Sequence, residues 1–307
     1  MRNLISLADL TPDVVRKLTL RSVELAKEPR RRHQTLDGKS VGIFFRRSST
    51  RTRTSFWAAA TGLGAQVITY GPDDLQLITG ESPEDTARVL SGYLDLLVAR
   101  TNDEMVELRR LTGHRLGVVN ALTRCQHPTQ ALADLSTLSE EFGTLEDKEL
   151  LYIGEGNSTA SALVLATALT PGFRLTLVTP DGYGVPTEFF DTARKLADGE
   201  PGVQQHHDFG AIAPTADAVY TSRWQTMGVV KDDPDWLRAF QPYRVTTGLM
   251  AEVARPGAIF LHDLPAIRGQ EVTDEVLDGP SSRAWRQTAH KMTSAMSVLE
   301  WCAGVLP

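Results

Sequence analysis

Residues 46–56, Arg46-Arg47-Ser48-Ser49-Thr50-Arg51-Thr52-Arg53-Thr54-Ser55-Phe56, set hydroxyls beside guanidiniums directly after the apolar run Val41-Gly42-Ile43-Phe44-Phe45. The apolar run reads as a buried strand, and Phe56-Trp57-Ala58-Ala59-Ala60 as the first turns of a helix. A strand-to-helix junction aims free backbone N–H groups and the positive end of the helix dipole at whatever precedes it. Serine and threonine donors with two or three arginines make that junction a pocket for a compact, multiply charged anion. Phosphate fits, because arginine meets its oxygens in a planar, bidentate fork. A basic run is more often a solvated face or a nucleic-acid contact. Here the chain as a whole is acidic, 38 Asp+Glu against 32 Lys+Arg, so no nucleic-acid footprint surrounds the cluster.

Other polar groups follow apolar runs in the same way. Arg100 follows Leu96-Leu97-Val98-Ala99, and His127-Pro128-Thr129-Gln130 follows Leu116-Gly117-Val118-Val119. Gly154-Glu155-Gly156-Asn157, Ser222-Arg223-Trp224 and His262-Asp263-Leu264-Pro265 do the same further along. Open parallel sheets bind ligands outside the carboxyl ends of their strands, so these clusters are expected to converge. Each has a plain structural reading: Arg100 as a surface ion pair, His127 as a helix cap, Trp224 and Met227 as packing. Gly154-x-Gly156 resembles half of a dinucleotide fingerprint, but Thr159 stands in place of the third glycine. Asp181 lies further along than the usual ribose-binding acid.

The elements that must position these residues alternate. Thr11-Pro12-Asp13 is a helix start, with a capping hydroxyl and proline at the first helical position. Apolar runs at 41–45, 66–70, 96–99 and 116–119 alternate with amphipathic stretches, and Pro128 to about Phe142 is a long helix. The pattern then restarts, with strands at 150–153, 174–179, 218–221 and 258–261, helices at 160–169 and 189–197, and a closing helix over 284–303. Such alternation implies parallel sheets covered on both faces. The fold expected is α/β: two doubly wound parallel-sheet (Rossmann-like) domains joined by interdomain helices. Their expected bounds are 1–140 and 141–284, with the C-terminal helix, about 285–307, packing on the first.

With 307 residues and 41% apolar content the chain can bury two cores. No stretch approaches the roughly 20 apolar residues of a bilayer span, and the N-terminus turns acidic too soon for a signal peptide. Cys125 and Cys302 lie far apart without partner spacing, which indicates neither a disulfide framework nor a thiolate metal site. A cytoplasmic protein without membrane or nucleic-acid partners is expected.

Ser49-Thr50-Arg51-Thr52-Arg53, Arg100, His127-Pro128-Thr129-Gln130 and His262-x-Leu264-Pro265, in this order, resemble the aspartate/ornithine carbamoyltransferase family over essentially the whole chain. Glu81-Ser82 with Asp85 to Leu90, Trp224-x-Thr226-Met227-Gly228 and Glu271 to Val276 resemble its ornithine branch. The lysine that the aspartate branch carries near residues 76–84 is absent. The resemblance implies a carbamoyl-phosphate donor, attack by a neutral amine on its carbonyl carbon, and departure of phosphate, with no cofactor, metal or covalent intermediate. It implies that Ser49, Thr50, Arg51, Thr52 and Arg53 hold the phosphate. Arg100, His127 and Thr52 would surround the carbonyl oxygen, and Gln130 with the main-chain carbonyl of Leu264 would accept from the carbamoyl NH₂. The Leu264–Pro265 bond is expected to be cis. Gln76 is expected to reach a neighbouring subunit's donor site, which implies a homotrimer with shared active sites, and Lys291 stands where the donor site has an arginine.

The acceptor candidates are Asn157, Ser158, Ser222, Arg223, Thr226, Met227 and Asp263. Here the match weakens. The ornithine branch has Asn at the position of Ser158, Asp at Ser222, Ser at Thr226 and Cys at Asp263. Ser222 cannot pair with an α-ammonium as an aspartate does, while Asp263 can pair with, or take a proton from, the attacking amine. Arg223 can meet an anion on the acceptor. The expectation is therefore a carbamoyltransferase acting on an amine other than plain ornithine. The alternatives are ornithine carbamoyltransferase itself and a non-catalytic trimeric relative, against which the intact donor residues argue.

Overall fold

A computed structural model describes residues 1–306 apart from Arg30, Asn102, Asp198 and 226–230. The chain forms two compact units, one of Met1–Glu140 with Ala289–Pro307 and one of Glu141–Thr288.

The first unit begins with α1 (Pro12–Leu25), which Thr11 caps through its hydroxyl. Then come β1 (Ser40–Phe45), α2 (Thr50–Gly62), β2 (Gln66–Tyr70), α3 (Pro83–Leu90), β3 (Leu96–Arg100), α4 (Met105–Arg110), β4 (Gly117–Leu122) and α5 (Pro128–Phe142). The four strands are parallel in the order β2-β1-β3-β4. β3 and β4 are buried along their whole length and β1 from its second residue on, as continuous apolar runs under helices on both faces must be. Phe44, Leu97, Ala99 and Val118 pack with Ala87, Leu90, Leu108 and Leu111 of the covering helices.

The second unit holds β5 (Glu149–Ile153), α6 (Ser158–Ala168), β6 (Arg174–Val178), α7 (Thr187–Leu196), β7 (Val203–His206), β8 (Ala216–Thr221), α8 (Trp236–Phe240), α9 (Thr247–Val253), β9 (Ala254–His262) and α10 (Asp274–Leu277). The five strands are parallel in the order β7-β6-β5-β8-β9. α6, Ser158-Thr159-Ala160-Ser161-Ala162-Leu163-Val164-Leu165-Ala166-Thr167-Ala168, is buried at every position. Its small side chains permit close approach on all sides, which its lack of a polar face requires. The last helix, α11 (Ala284–Cys302), crosses the border between the units before Ala289. Its first-unit part meets α1, where Ser297 Oγ donates to the Leu18 carbonyl at 2.8 Å and Glu300 accepts twice from Arg21, at 2.8 and 2.9 Å.

Several elements differ from the sequence reading, which has no counterpart for the short helices α8, α9 and α10. α2 starts at Thr50, six residues earlier than its apolar stripe suggests, with Ser49 as its cap residue. The phosphate-type residues Thr50, Arg51, Thr52 and Arg53 thus form its first turn. β7 has no counterpart in the sequence reading, because Val203-Gln204-Gln205-His206 is a partly exposed edge strand whose glutamines hide the apolar alternation. Among the described residues no helix is long and apolar enough to cross a membrane.

Candidate active site

In each unit the strand order reverses at one place, between β1 and β3 and between β5 and β8, and the polar clusters lie at those places. In the first unit Phe45, the last residue of β1, pairs with Arg100, the last of β3. The register slips between Ala99 and Arg100, so that Arg100 pairs with Leu122. The Arg46 N–H donates to the Arg100 carbonyl at 3.0 Å, which ties the start of the α2 loop to the end of β3.

Ser49 is extended, φ −156° and ψ 103°, and its hydroxyl does not cap α2. It accepts instead from Arg100 Nη1 at 2.8 Å. Ser49 therefore gives the positive end of α2 no side-chain cap. Thr52 is buried and Arg51 half-buried. Arg53 lies over the Phe45 ring at 5.4 Å, and its Nε is buried without a hydrogen-bond partner. Arg46 is otherwise engaged, paired with Asp103 at 2.7 Å and Glu107 at 2.6 Å, so it belongs to the scaffold.

Arg100 is 5% exposed. Burial, then the charge of Arg51, lowers its pKa to about 10. The like charge of half-buried Arg51 thus reaches buried Arg100, a field that favours an anion between them. His127 shares this field. Burial first, then the charges of Lys291 and Arg100, hold its pKa well below the ordinary histidine value. The ring is therefore neutral near pH 7, and it can give one N–H to a carbonyl oxygen without adding a proton to the site. The Thr129 hydroxyl lies 3.4 Å from Nδ1; if it donates there, the ring proton sits on Nε2. Gln130 is fixed from both sides. Its Oε1 accepts from Lys291 Nζ, and its Nε2 donates to Asp134 Oδ1 at 2.7 Å. Lys291, which stands where an arginine of the donor site is expected, thus orients the Gln130 amide and leaves a lone pair on Oε1.

In the second unit Ile153, Thr221 and His262 end three adjacent strands in register, which brings the residues after them to one edge. Asn157 caps α6, its Oδ1 accepting from the N–H groups of Thr159 at 2.9 Å and Ala160 at 3.1 Å. Its Nδ2 donates to Ser222 Oγ at 2.7 Å. The Ser222 hydroxyl, 1% exposed, also meets the Tyr152 hydroxyl at 2.6 Å. Tyr152 donates to the Glu155 carbonyl at 2.7 Å. Burial, with the charges of Asp263 and Glu155 behind it, raises the Tyr152 pKa well above its ordinary value, so this phenol acts only as a neutral hydrogen-bonding group.

Asp263 Oδ2 accepts from Thr159 Oγ1 at 2.9 Å. Its other oxygen is 3.6 Å from His262 Nδ1, but that nitrogen already accepts the Leu264 N–H at 2.8 Å. The ring proton of His262 is then on Nε2, directed at Glu271 Oε1 3.2 Å away. His262 is a neutral bracket for the Leu264 backbone, and Glu271 also holds the Ile267 N–H at 2.6 Å. The Leu264–Pro265 bond is cis, and Leu264 has φ +53°. Ser158 opens α6 and is buried, and Arg223 Nε is buried without a hydrogen-bond partner. Thr226 and Met227 lie outside the described residues. Gln76 lies in a 3-10 turn over Gln76–Thr79, exposed, its Oε1 accepting from Thr79 Oγ1 at 2.8 Å.

Of the glycines after β5, Gly154 takes a positive φ of 133° and Gly156 serves packing. A Cβ on Gly156 would lie 2.2 Å from the Gly184 carbonyl carbon and the Val185 nitrogen, and the Gly156 N–H donates to the Tyr183 carbonyl at 2.7 Å. This close approach between backbones accounts for the partial dinucleotide pattern. Sequence reasoning missed Tyr152, Thr159 and Glu155 as parts of this network. Tyr152 reads simply as strand core, and Thr159 only as the residue that breaks a glycine motif.

Comparison with known proteins adds to this geometry. Residues 2–140 match the family model described as the aspartate/ornithine carbamoyltransferase carbamoyl-P binding domain, and residues 146–302 match its Asp/Orn binding domain. The chain is 40% identical over 308 residues to an ornithine carbamoyltransferase from Methanothermobacter thermautotrophicus, covering 99% of both. It is 39% identical over 293 residues to one from Trichormus variabilis, covering 95% of this chain and 94% of the relative. The solved ornithine carbamoyltransferase of Pyrococcus furiosus superposes with a TM-score of 0.91 at 33% identity, covering 100% of this chain and 98% of that one. Both domain models and the relatives span the site residues, and the chain belongs to the aspartate/ornithine carbamoyltransferase family of transferases.

Proposed function

We propose that this chain moves the carbamoyl group of carbamoyl phosphate to the primary amine of a small acceptor and releases phosphate. The observation that carries this reading is the pairing of buried, charge-strained Arg100 with neutral His127 beside the Ser49–Arg53 turn. A dianionic phosphate would be attracted by the charges of Arg51 and Arg100 and by the positive end of α2. Arg100, the His127 N–H and Thr52 would then face the carbonyl oxygen and stabilise the negative charge it gains. Gln130 would accept from the carbamoyl NH₂ through its remaining lone pair. The amine nitrogen adds to the carbonyl carbon, the carbon–oxygen bond to phosphate breaks, and the nitrogen sheds a proton. Before attack an ammonium must also lose a proton, and Asp263 is the carboxylate we assign to take it.

The names of relatives favour ornithine as acceptor, since the matches above at 33–40% identity are called ornithine carbamoyltransferases. A second reading, an amine other than plain ornithine, rests on the acceptor residues. Ser222 brings no charge and is engaged by Tyr152 and Asn157, while the carboxylate stands at 263. Asn157, Ser158, Arg223, Thr226 and Met227 complete the proposed acceptor set. A homotrimer in which Gln76 reaches a neighbouring donor site, acting in the cytoplasm, completes the proposal.

A colorimetric ureido assay with carbamoyl phosphate and a panel of amines tests it. The panel holds ornithine, its N-acylated forms, lysine, putrescine, aspartate and amino-bearing nucleosides. Product with none of a broad panel would sink the transferase reading. Strong turnover of ornithine would sink the second reading, and turnover of another amine alone would sink the first.

A further inference from the structure

The ammonium of Lys231 sits in a box of aromatic rings. Its Nζ lies 4.7 Å from the Tyr183 ring centre and 5.2 Å from those of Trp236 and Phe240. Glu155 closes the box, its Oε1 accepting from Lys231 Nζ. The rings brace one another, with Tyr183 and Phe240 edge-on at 4.9 Å and Trp236 and Phe240 at 5.5 Å. The lysine and glutamate side chains are 6% and 14% exposed. Burying a lysine is costly unless ring faces and a carboxylate compensate it, and an apolar side chain would fill such a box without that cost. The charge therefore points to a demand made by Glu155.

Glu155 lies between this box and the candidate acceptor residues. Its carbonyl accepts from the Tyr152 hydroxyl at 2.7 Å and from the Asn157 N–H at 2.8 Å. Tyr152 and Asn157 are the two groups that hold Ser222 Oγ, at 2.6 and 2.7 Å. The carboxylates of Glu155 and Asp263 both act on the Tyr152 hydroxyl, so an ammonium bound near it would feel both. Lys231 neutralises the first of them.

We infer that Lys231 is a positioning residue for acceptor binding. Held in its aromatic box, it fixes Glu155, whose carbonyl sets Tyr152 and Asn157 and through them Ser222. It also keeps the Glu155 carboxylate from competing with Asp263 for the acceptor's ammonium. This inference rests on the reading that Asn157, Ser222 and Asp263 hold the acceptor.

Lys231→Met, Lys231→Arg and Glu155→Gln test it, with steady-state kinetics on the amine the wild type uses and hydrogen exchange of the intact protein. Lys231→Met should raise the acceptor KM about tenfold or more, with kcat within about threefold and donor KM unchanged. Lys231→Arg should recover most of the loss. Peptides covering residues 154–161 should exchange faster in Lys231→Met, while those covering 96–101 should not change. An acceptor KM within about twofold of wild type together with unchanged exchange would overturn the inference. Should Lys231→Met fail to fold, Glu155→Gln, which keeps the backbone and the side-chain size, gives the same readouts. If the wild type carbamoylates no amine, the reading of function has failed, and the exchange of residues 154–161 alone decides the role of Lys231.

Discussion

Replacing Arg100 by methionine should make the ligand-free protein more stable while it abolishes donor binding. Burial and the Arg51 charge lower the guanidinium pKa from the ordinary arginine value to about 10. At about 1.4 kcal/mol per pH unit, the folded protein carries about 3 kcal/mol of unfavourable charge burial at neutral pH. The sign follows from linkage. The folded pKa lies below the unfolded one, so the penalty is complete below about pH 10 and disappears only as pH rises toward the unfolded value. Methionine keeps the apolar stem and removes the charge. The lost contacts of the guanidinium, among them the 2.8 Å hydrogen bond to Ser49 Oγ, give back on the order of 1 kcal/mol. The net gain of about 2 kcal/mol should raise the apparent Tm of the ligand-free protein by roughly 4–8 °C. Inorganic phosphate at about 100 times its Kd should stabilise the wild type by about 2.7 kcal/mol and the variant far less. Differential scanning calorimetry at pH 7.5, with and without phosphate, reads both effects. A ligand-free Tm several degrees below wild type, with the phosphate shift retained, would refute the argument that Arg100 is held in tension for an anion.

Asp263→Asn keeps the hydrogen bond from Thr159 but cannot take a proton, so kcat with the preferred amine should fall more than about tenfold while donor KM stays put; unchanged turnover removes Asp263 from the mechanism. His127 stays neutral well below the ordinary histidine pKa, so its own titration should place no acid inflection near pH 6.5 in kcat/KM. The unfolded chain takes up the proton that folded His127 refuses, so between pH 6.5 and 5 the wild type should lose more thermal stability than His127→Gln; equal losses would contradict the buried neutral ring. Gly156→Ala forces a methyl group to within 2.2 Å of the Gly184–Val185 backbone and should destabilise the second unit by about 3 kcal/mol or more; an unchanged melt would show that the backbones can part.

The candidate donor residues could be singled out in the sequence because they are contiguous. Ser49 to Arg53 follow one strand, and His127 and Gln130 open one helix, so the order of apolar runs shows which strand each follows. What the sequence concealed was what each residue touches. Ser49 reads as a phosphate donor, yet here its hydroxyl holds Arg100. Lys291 reads only as standing where the donor site has an arginine, and its bond to Gln130 spans 161 positions of chain. The α2 start was placed late because Thr-Arg-Thr-Arg-Thr carries no apolar stripe, and β7 was missed because an edge strand need not alternate. Tyr152 and Lys231 give no local signal. A tyrosine in a buried strand and a lysine among acids become network members only through partners distant in the chain.

The Arg2 N–H donates to the Cys302 carbonyl at 2.8 Å, within the unit that also holds Ser49, Arg100 and Lys291. The second unit is continuous in the chain, whereas the first is interrupted and completed only by α11. During synthesis, then, the first unit must wait for α11, while the interior unit can close as soon as its own residues appear. The long closure from residue 140 to residue 289 makes the donor half the slower to assemble. Loss of the last twenty or so residues would leave a folded interior unit attached to an unfinished neighbour, lacking both the lysine that orients Gln130 and the helix that Arg21 clasps.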